Sequence, residues 1–197
     1  MKTTIEIDAR ILNAMACLVG RDQSRHVLTG IKLEFGKEDI KLIATDGRLM
    51  GIYRIESKQE QVGDIVLPVD WLWMFKLDSR RSSMMTLQID EQDFKVTFKS
   101  RNISGRLIEG SYPTWRQCIP TGPIQSPKEF CFSANLASRF QRAFQILKPG
   151  SAASFKIKAH SNNEIGPFSI LGQDPNFYGL LMPLRDSMED IPDWVKQ

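Results

Sequence analysis

Two histidines, three cysteines and an Asp-Gly pair are the residues of this chain whose types could support catalysis or metal binding. Covalent hydrolysis needs a nucleophile beside a base, and acid–base hydrolysis needs paired carboxylates. Neither arrangement is written here. His26 stands in the basic loop Arg21-Asp-Gln-Ser-Arg-His26, and His160 precedes the turn-forming run Ser161-Asn162-Asn163. Cys17, Cys118 and Cys131 lie far apart, with none of the CxxC or HExxH spacing of a zinc site. They read as small buried side chains in a reducing cytosol. No GxxxxGK[ST] phosphate loop occurs. Asp46, in Ala44-Thr45-Asp46-Gly47, is an acid by type, but an Asp-Gly pair after a strand is first of all a turn. These residues point away from an enzyme, and no metal or cofactor is expected.

The elements that carry these residues repeat three times, each pass running strand, helix, then short strands. In the first pass Thr3 to Ile7 alternates, and Asp8 can cap a helix whose apolar face is Ile11, Leu12, Met15, Leu18 and Val19, with Gly20 as its stop. Strands are expected at Leu28 to Phe35, Ile40 to Ala44 and Met50 to Ile55, with turns at Asp39 and Asp46-Gly47. The second pass starts at Asp64 to Pro68, with Asp70 capping a short helix through Leu77 and strands at Met85 to Ile89, Phe94 to Phe98 and Ile103 to Ile108. The third opens with a strand at Glu129 to Ser133. Its helix shows Leu136, Phe140, Ala143, Phe144 and Leu147 on one face and stops at Pro149-Gly150. Strands follow near Ser154 to Ala159, Phe168 to Leu171 and Tyr178 to Leu184. Between the second and third passes, Pro120 to Pro127 holds three prolines and reads as an extended connector. The class is α+β, with antiparallel sheets backed by a helix from each unit.

The chain has 197 residues, of which 42% are hydrophobic, and no apolar run near the length a membrane span requires. The N-terminal MKTTIEIDAR has no apolar stretch, so no secretory signal is expected and the cytoplasm is the expected location. Lys and Arg number 26 against 23 Asp and Glu. That balance is too mild to define a partner, but the distribution is uneven. The last twelve residues hold Asp186, Glu189, Asp190 and Asp193, which leaves the body more basic than the mean. Cations flank each helix: Arg10, Arg21 and Arg25 for the first, Lys76, Arg80 and Arg81 for the second, Arg139, Arg142 and Lys148 for the third. If the units pack side by side, these side chains can line one face for phosphates, bound without reading sequence. The competing reading is an ordinary solvated surface.

Three segments resemble the bacterial DNA sliding clamp, the beta subunit of DNA polymerase III. Leu42-Ile-Ala-Thr-Asp-Gly-Arg-Leu-Met50 is similar to the family's ATDGHRLA stretch, without its histidine. Gly110-Ser-Tyr-Pro-Thr-Trp-Arg-Gln-Cys-Ile-Pro120 resembles G-x-[FY]-P-x-[YW]-R-x-x-[IL]-P, and Tyr178-Gly-Leu-Leu-Met-Pro-Leu-Arg185 is close to the carboxy-terminal Y-x-x-M-P-[ML]-R. The resemblance implies a DNA-clamp fold, with residues 1–120 as one complete clamp-like domain of two half-units (1–60 and 61–120). Residues 121–127 would be a linker, 128–185 a half domain and 186–197 an acidic tail.

What the resemblance implies for function is a non-enzymatic processivity factor holding polymerase-type partners on duplex DNA. Polymerase or clamp-loader peptides would dock in a groove made by Thr45, Gly47, Arg48, Leu49, Ile119, Pro120, Met182, Pro183 and Leu184. Leu, Met and Pro would form its apolar floor, with Thr45 and Arg48 as a polar rim. Double-stranded DNA would meet Arg10, Arg21, Gln23, Arg25, His26, Lys76, Arg80, Arg81, Arg139 and Arg142. Three half-units per chain imply a homo-oligomer, expected to form through the sheet edge and helix of the third unit. The alternative is an adaptor that keeps the peptide groove without encircling DNA.

Overall fold

Alternating Ile5 and Ile7 make the first strand, and Asp8 ends it by turning its carboxylate onto the Arg10 amide at 2.9 Å, starting the first helix. In the computed structural model, which describes residues 2–57, 63–75, 82–125, 131–160 and 166–184, these are β1 (Lys2–Asp8) and α1 (Ala9–Ala16). A 3-10 segment over Gln23–Thr29 leads to β2 (Gly30–Phe35), β3 (Asp39–Thr45) and β4 (Leu49–Glu56). The second pass has β5 (Ile65–Pro68), a 3-10 helix at Asp70–Phe75, β6 (Met84–Asp90), β7 (Asp93–Phe98) and β8 (Arg101–Arg106). The connector carries a 3-10 turn at Trp115–Cys118 and the two-residue β9 (Ile124–Gln125). The third pass has α2 (Ala134–Leu147), β10 (Lys156–His160), β11 (Phe168–Leu171) and β12 (Phe177–Leu181).

All strands pair antiparallel, in two sheets: β1-β6-β7-β8, and β5-β2-β3-β4-β12-β11-β10-β9. The first strands of the first two passes are exchanged, β1 joining β6 and β5 joining β2. β9 takes the equivalent place beside β10. The larger sheet is continuous because β4 pairs with β12, from Phe177 opposite Tyr53 to Leu181 opposite Leu49.

One apolar core joins both sheets to α1 and α2. At the β4–β12 joint two glycines face each other, Gly51 and Gly179. A Cβ on Gly51 would lie 2.3 Å from Leu18 Cδ1, and one on Gly179 would lie 2.7 Å from the Phe140 ring. Bare backbone at these positions lets Leu18, just past α1, and Phe140 of α2 press onto the sheet.

The structure departs from the sequence reading at several element ends. α1 ends at Ala16 rather than before Gly20, because the Cys17 and Leu18 amides bond three residues back and tighten the last turn. Leu18 and Val19 remain buried. The strand expected from Leu28 starts at Gly30, since 23–29 coils into the 3-10 segment. The second helix is 3-10 over Asp70–Phe75, with residues 76–81 outside the described part. Of Glu129 to Ser133, the described residues 131–133 contribute a single bridge, Cys131 to Leu184.

Candidate functional site

The outer face of the larger sheet, away from the helices, carries a second apolar cluster: Ile43, Met50, Ile52, Leu180 and Trp115, with Tyr112, Ile119 and Tyr178 against it. Its strand residues share one face by alternation, since Ile43 is opposite Ile52, Ile52 opposite Tyr178 and Met50 opposite Leu180. The connector lies across this face. Tyr112 donates to the Ile43 carbonyl at 3.2 Å, and the Trp115 indole donates to Glu34 at 3.0 Å. Arg116 pairs with the same Glu34 carboxylate and sits 4.4 Å over the Trp115 ring. Further on, the connector reaches β10, where His160 Nδ1 donates to the Gly122 carbonyl at 3.0 Å. The imidazole must carry its proton there, because a carbonyl only accepts. Nε2 then accepts from Ser169 Oγ at 2.8 Å, and Ser169 in turn receives the Tyr178 hydroxyl at 2.7 Å.

This Tyr178–Ser169–His160 row has the distances of a hydroxyl activated by a base. Ser169 is 3% exposed, however, and a main-chain carbonyl stands behind the imidazole. A nucleophile must reach its substrate, and this one is enclosed. The row fastens the connector to three strands.

Where the connector stops covering the sheet, the outward row Tyr178, Leu180, Met182 runs into the open. Met182 is 40% and Leu184 45% exposed, beside half-buried Pro183, and Ile119 and Pro120 are half-buried in the connector. The strand end is held by the Met182 amide on the Arg48 carbonyl and the Leu184 amide on the Cys131 carbonyl, both at 2.9 Å. Arg48 and Gly47 are exposed on the adjoining β3–β4 turn, where Gly47 takes φ +90°. Asp46 shapes that turn by accepting from the Arg48 and Leu49 amides at 2.8 and 3.0 Å.

Two expected groove residues do not reach this surface. Thr45, read as a rim contact, is 3% exposed: its hydroxyl donates to the Leu49 carbonyl at 2.6 Å and accepts from the Gly47 amide at 3.0 Å. Leu49 is 2% exposed and points the other way, into the main core. The sequence reading missed Tyr112 and Trp115, although two aromatics around Pro113 in a polar loop were a signal for them.

The cations expected to meet DNA divide into three groups. Arg21, Gln23, Arg25, His26 and Arg142 are exposed. Arg25 Nη1 lies 3.2 Å from where a Gly47 Cβ would be, so the basic loop abuts the β3–β4 turn. His26 Nε2 donates to the Glu109 carbonyl at 3.0 Å. Burial pushes the Cys17 thiol up against the pull of Arg142, Arg139 and Arg21, which places all three around the end of α1. Arg10 and Arg139 are engaged inside the molecule. Arg10 forms a forked pair with Asp8, its Nη2 at 2.7 Å from Oδ2. Arg139 donates Nε to the Cys17 carbonyl at 2.7 Å and Nη2 to the Val19 carbonyl at 2.6 Å, and pairs through Nη1 with Asp46. Lys76, Arg80 and Arg81, with the acidic tail 186–197, lie outside the described residues.

Among the described residues, no helix is long and apolar enough to cross a membrane, and no group of His, Cys, Asp and Glu could hold a metal.

The sequence pattern of the DNA polymerase III beta subunit, central domain, matches residues 5–114. The beta sliding clamp of Treponema pallidum is 24% identical over 171 residues, covering 79% of this chain and 45% of that protein. The beta sliding clamp of Borreliella burgdorferi is 27% identical over 114 residues, covering 56% of this chain and 29% of that one. This chain thus spans less than half the length of either relative. Among solved structures, a sliding clamp from Bartonella birtlesii bound to griselimycin aligns with TM-score 0.73 at 14% identity, over 93% of this chain and 66% of that one. The clamp from Bacillus subtilis aligns with TM-score 0.69 at 16% identity, over 94% and 65%. The fold is therefore the α+β clamp fold, and the chain belongs to the DNA polymerase III beta subunit family through its match to that family's central domain.

Proposed function

We propose that the chain is a sliding clamp that raises processivity: it tethers polymerase-type partners to duplex DNA and catalyses no reaction itself. The observation that carries this reading is the exposed Met182 and Leu184 beside the Arg48–Gly47 turn, next to an apolar cluster, in a chain of this family. A short peptide with a Leu or Phe anchor would bury its side chain against Met182, Leu184, Pro183, Ile119 and Pro120, with Arg48 as a polar rim contact. Tyr112 and Trp115 pack in the apolar cluster with Ile119, and Thr45 and Leu49 hold the turn without touching the peptide.

DNA would be met through its phosphates by the exposed Arg21, Gln23, Arg25, His26 and Arg142, with Lys76, Arg80 and Arg81 as further candidates. We infer a cytoplasmic protein that self-associates, with residues 1–120 as one clamp domain, 121–127 as linker and 128–185 as a half domain. One observation favours the alternative, an adaptor that binds clamp-binding peptides without encircling DNA. Arg10 and Arg139 are taken up internally, which leaves fewer cations for phosphate. Retention on circular DNA separates the two. A clamp stays bound to a nicked circle through gel filtration and is lost once the circle is cut. An adaptor binds the peptide, followed by fluorescence anisotropy, but is retained on neither form. Absence of both properties refutes both readings.

A further inference from the structure

The described residues end at Leu184, on the exposed apolar row itself. The main chain of Met182 and Leu184 is fixed by the Arg48 and Cys131 carbonyls, while their side chains stay 40% and 45% exposed. The cations beside them are unpaired. Arg48 and Arg25 are exposed, the Arg25 guanidinium abuts Gly47, and among the described residues neither forms an ion pair. Of the carboxylates in these two loops, Asp46 is taken up by Arg139 and the Arg48 and Leu49 amides. Asp22 accepts from the Ser24 amide at 2.9 Å. An apolar strip bordered by such cations fits an acidic peptide with an apolar anchor.

The chain carries a segment of that chemistry next to the strip. Residues 186–197, Asp-Ser-Met-Glu-Asp-Ile-Pro-Asp-Trp-Val-Lys-Gln, hold four carboxylates against one lysine, with Ile191 and Trp194 among them. Ile191 and Trp194 come seven and ten residues after Leu184, a reach of up to about 23 and 33 Å at about 3.3 Å per residue. Return to the row needs only a reversal of direction within that length. Pro192 favours an extended Ile191, and Trp194 has the largest apolar area to offer as an anchor. We propose that Asp190 to Val195 fold back onto this row of the same chain, with Trp194 against Met182 and Leu184. Asp190 and Asp193 then face Arg48 and Arg25, and the segment competes with outside peptides. This rests on the peptide-groove reading above and gives that groove an internal competitor. A segment on so short a tether acts at an effective concentration of about 1 mM. With an intrinsic dissociation constant of about 0.2 mM, it leaves the groove free about one-sixth of the time and weakens an outside peptide about 6-fold.

The test is the affinity of the full chain for a fluorescein-labelled Ser-Gly-Ser-Leu-Phe amide, followed by anisotropy. Trp194→Ala is expected to tighten binding about 6-fold. Met182→Glu with Leu184→Asp should abolish binding whether or not Trp194 is present. Added salt screens the acidic segment from Arg48 and Arg25, so it should tighten wild-type binding and leave Trp194→Ala unchanged. Unfolding in urea checks that each variant is folded. Equal affinity of wild type and Trp194→Ala, with the double variant inactive, overturns the proposal and leaves the groove reading standing. A peptide that binds no form of the chain overturns both. A wild-type weakening that grows with protein concentration places the segment of a second copy in the groove and overturns the intramolecular contact.

Discussion

Arg139 is where a surface-cation reading and the structure diverge most, and Arg139→Ala separates them. The guanidinium closes three contacts at once: the Cys17 and Val19 carbonyls beyond α1, and Asp46 on the turn that carries Arg48. It therefore ties α2, the end of α1 and the groove turn together. The two side chains of the pair are 24% and 16% exposed, so solvent screens it only in part. Taking about 1 kcal/mol for each carbonyl left without its donor and about 1 kcal/mol for the half-buried pair, the substitution should cost about 3 kcal/mol. For a chain of this size that lowers the melting temperature by roughly 6 to 12 °C.

Urea denaturation measures the cost, and a double-mutant cycle with Asp46→Asn should return a coupling near 1 kcal/mol. Arg139→Lys should recover only part, since one ammonium cannot present three donors in this fork. DNA binding provides the contrast. A phosphate-contacting cation shifts the slope of log affinity against log salt by about 1 when removed. Arg142→Ala should show that shift and Arg139→Ala should not. A cost below about 0.5 kcal/mol, the size of an ordinary surface substitution, together with a changed salt slope would refute the reasoning.

Other expectations follow from single contacts. Met182→Glu with Leu184→Asp places charge on the exposed apolar row and should weaken an apolar-anchored peptide at least 10-fold by anisotropy, with the free energy of unfolding in urea within about 0.5 kcal/mol of wild type. Gly179→Ala drives a methyl to 2.7 Å from the fully buried Phe140 ring and should cost about 1 to 3 kcal/mol, read from the same denaturation curves. Burial pushes the Glu34 carboxyl up, but hydrogen bonds from Arg116 and Trp115 hold it below the ordinary 4.5. A depressed carboxylate stabilises the fold fully above its unfolded pKa and loses that contribution as pH falls through the folded one. Glu34→Gln should therefore be less stable than wild type near pH 7, with the gap narrowing below pH 4.5; a gap that stays constant down to pH 3 would sink this account.

What the sequence made legible was local. The period of Leu136, Phe140, Ala143, Phe144 and Leu147 is a property of one helix, and four of the five are buried on α2. Phe94, Val96 and Phe98 alternate and are buried in turn along β7. The exchange of β1 and β5 was not legible, because nothing within either strand encodes which sheet receives it. β9 was missed for a related reason: its content is two main-chain pairings in a proline-rich run, where the types of Ile124 and Gln125 carry no pattern. Side-chain type misled at Thr45, where a hydroxyl suggested a rim contact. Its two partners, the Leu49 carbonyl and the Gly47 amide, lie within its own turn, so a polar residue could be buried with both needs met.

The same logic applies to the sheet edges. An edge is exposed or covered by what pairs with it, and pairing is non-local, so the count of units alone pointed to the third. The connector alters that edge. It crosses the outer face from Glu34, where Trp115 is anchored, to His160, and leaves β9 on the edge of β10. A single run of chain thereby walls the proposed groove with Ile119 and Pro120 and adds a two-residue strand to the third unit's edge. The wall and that strand are coupled through it: a substitution that frees β9, such as His160→Ala, should loosen the groove and uncover the end of β10 together.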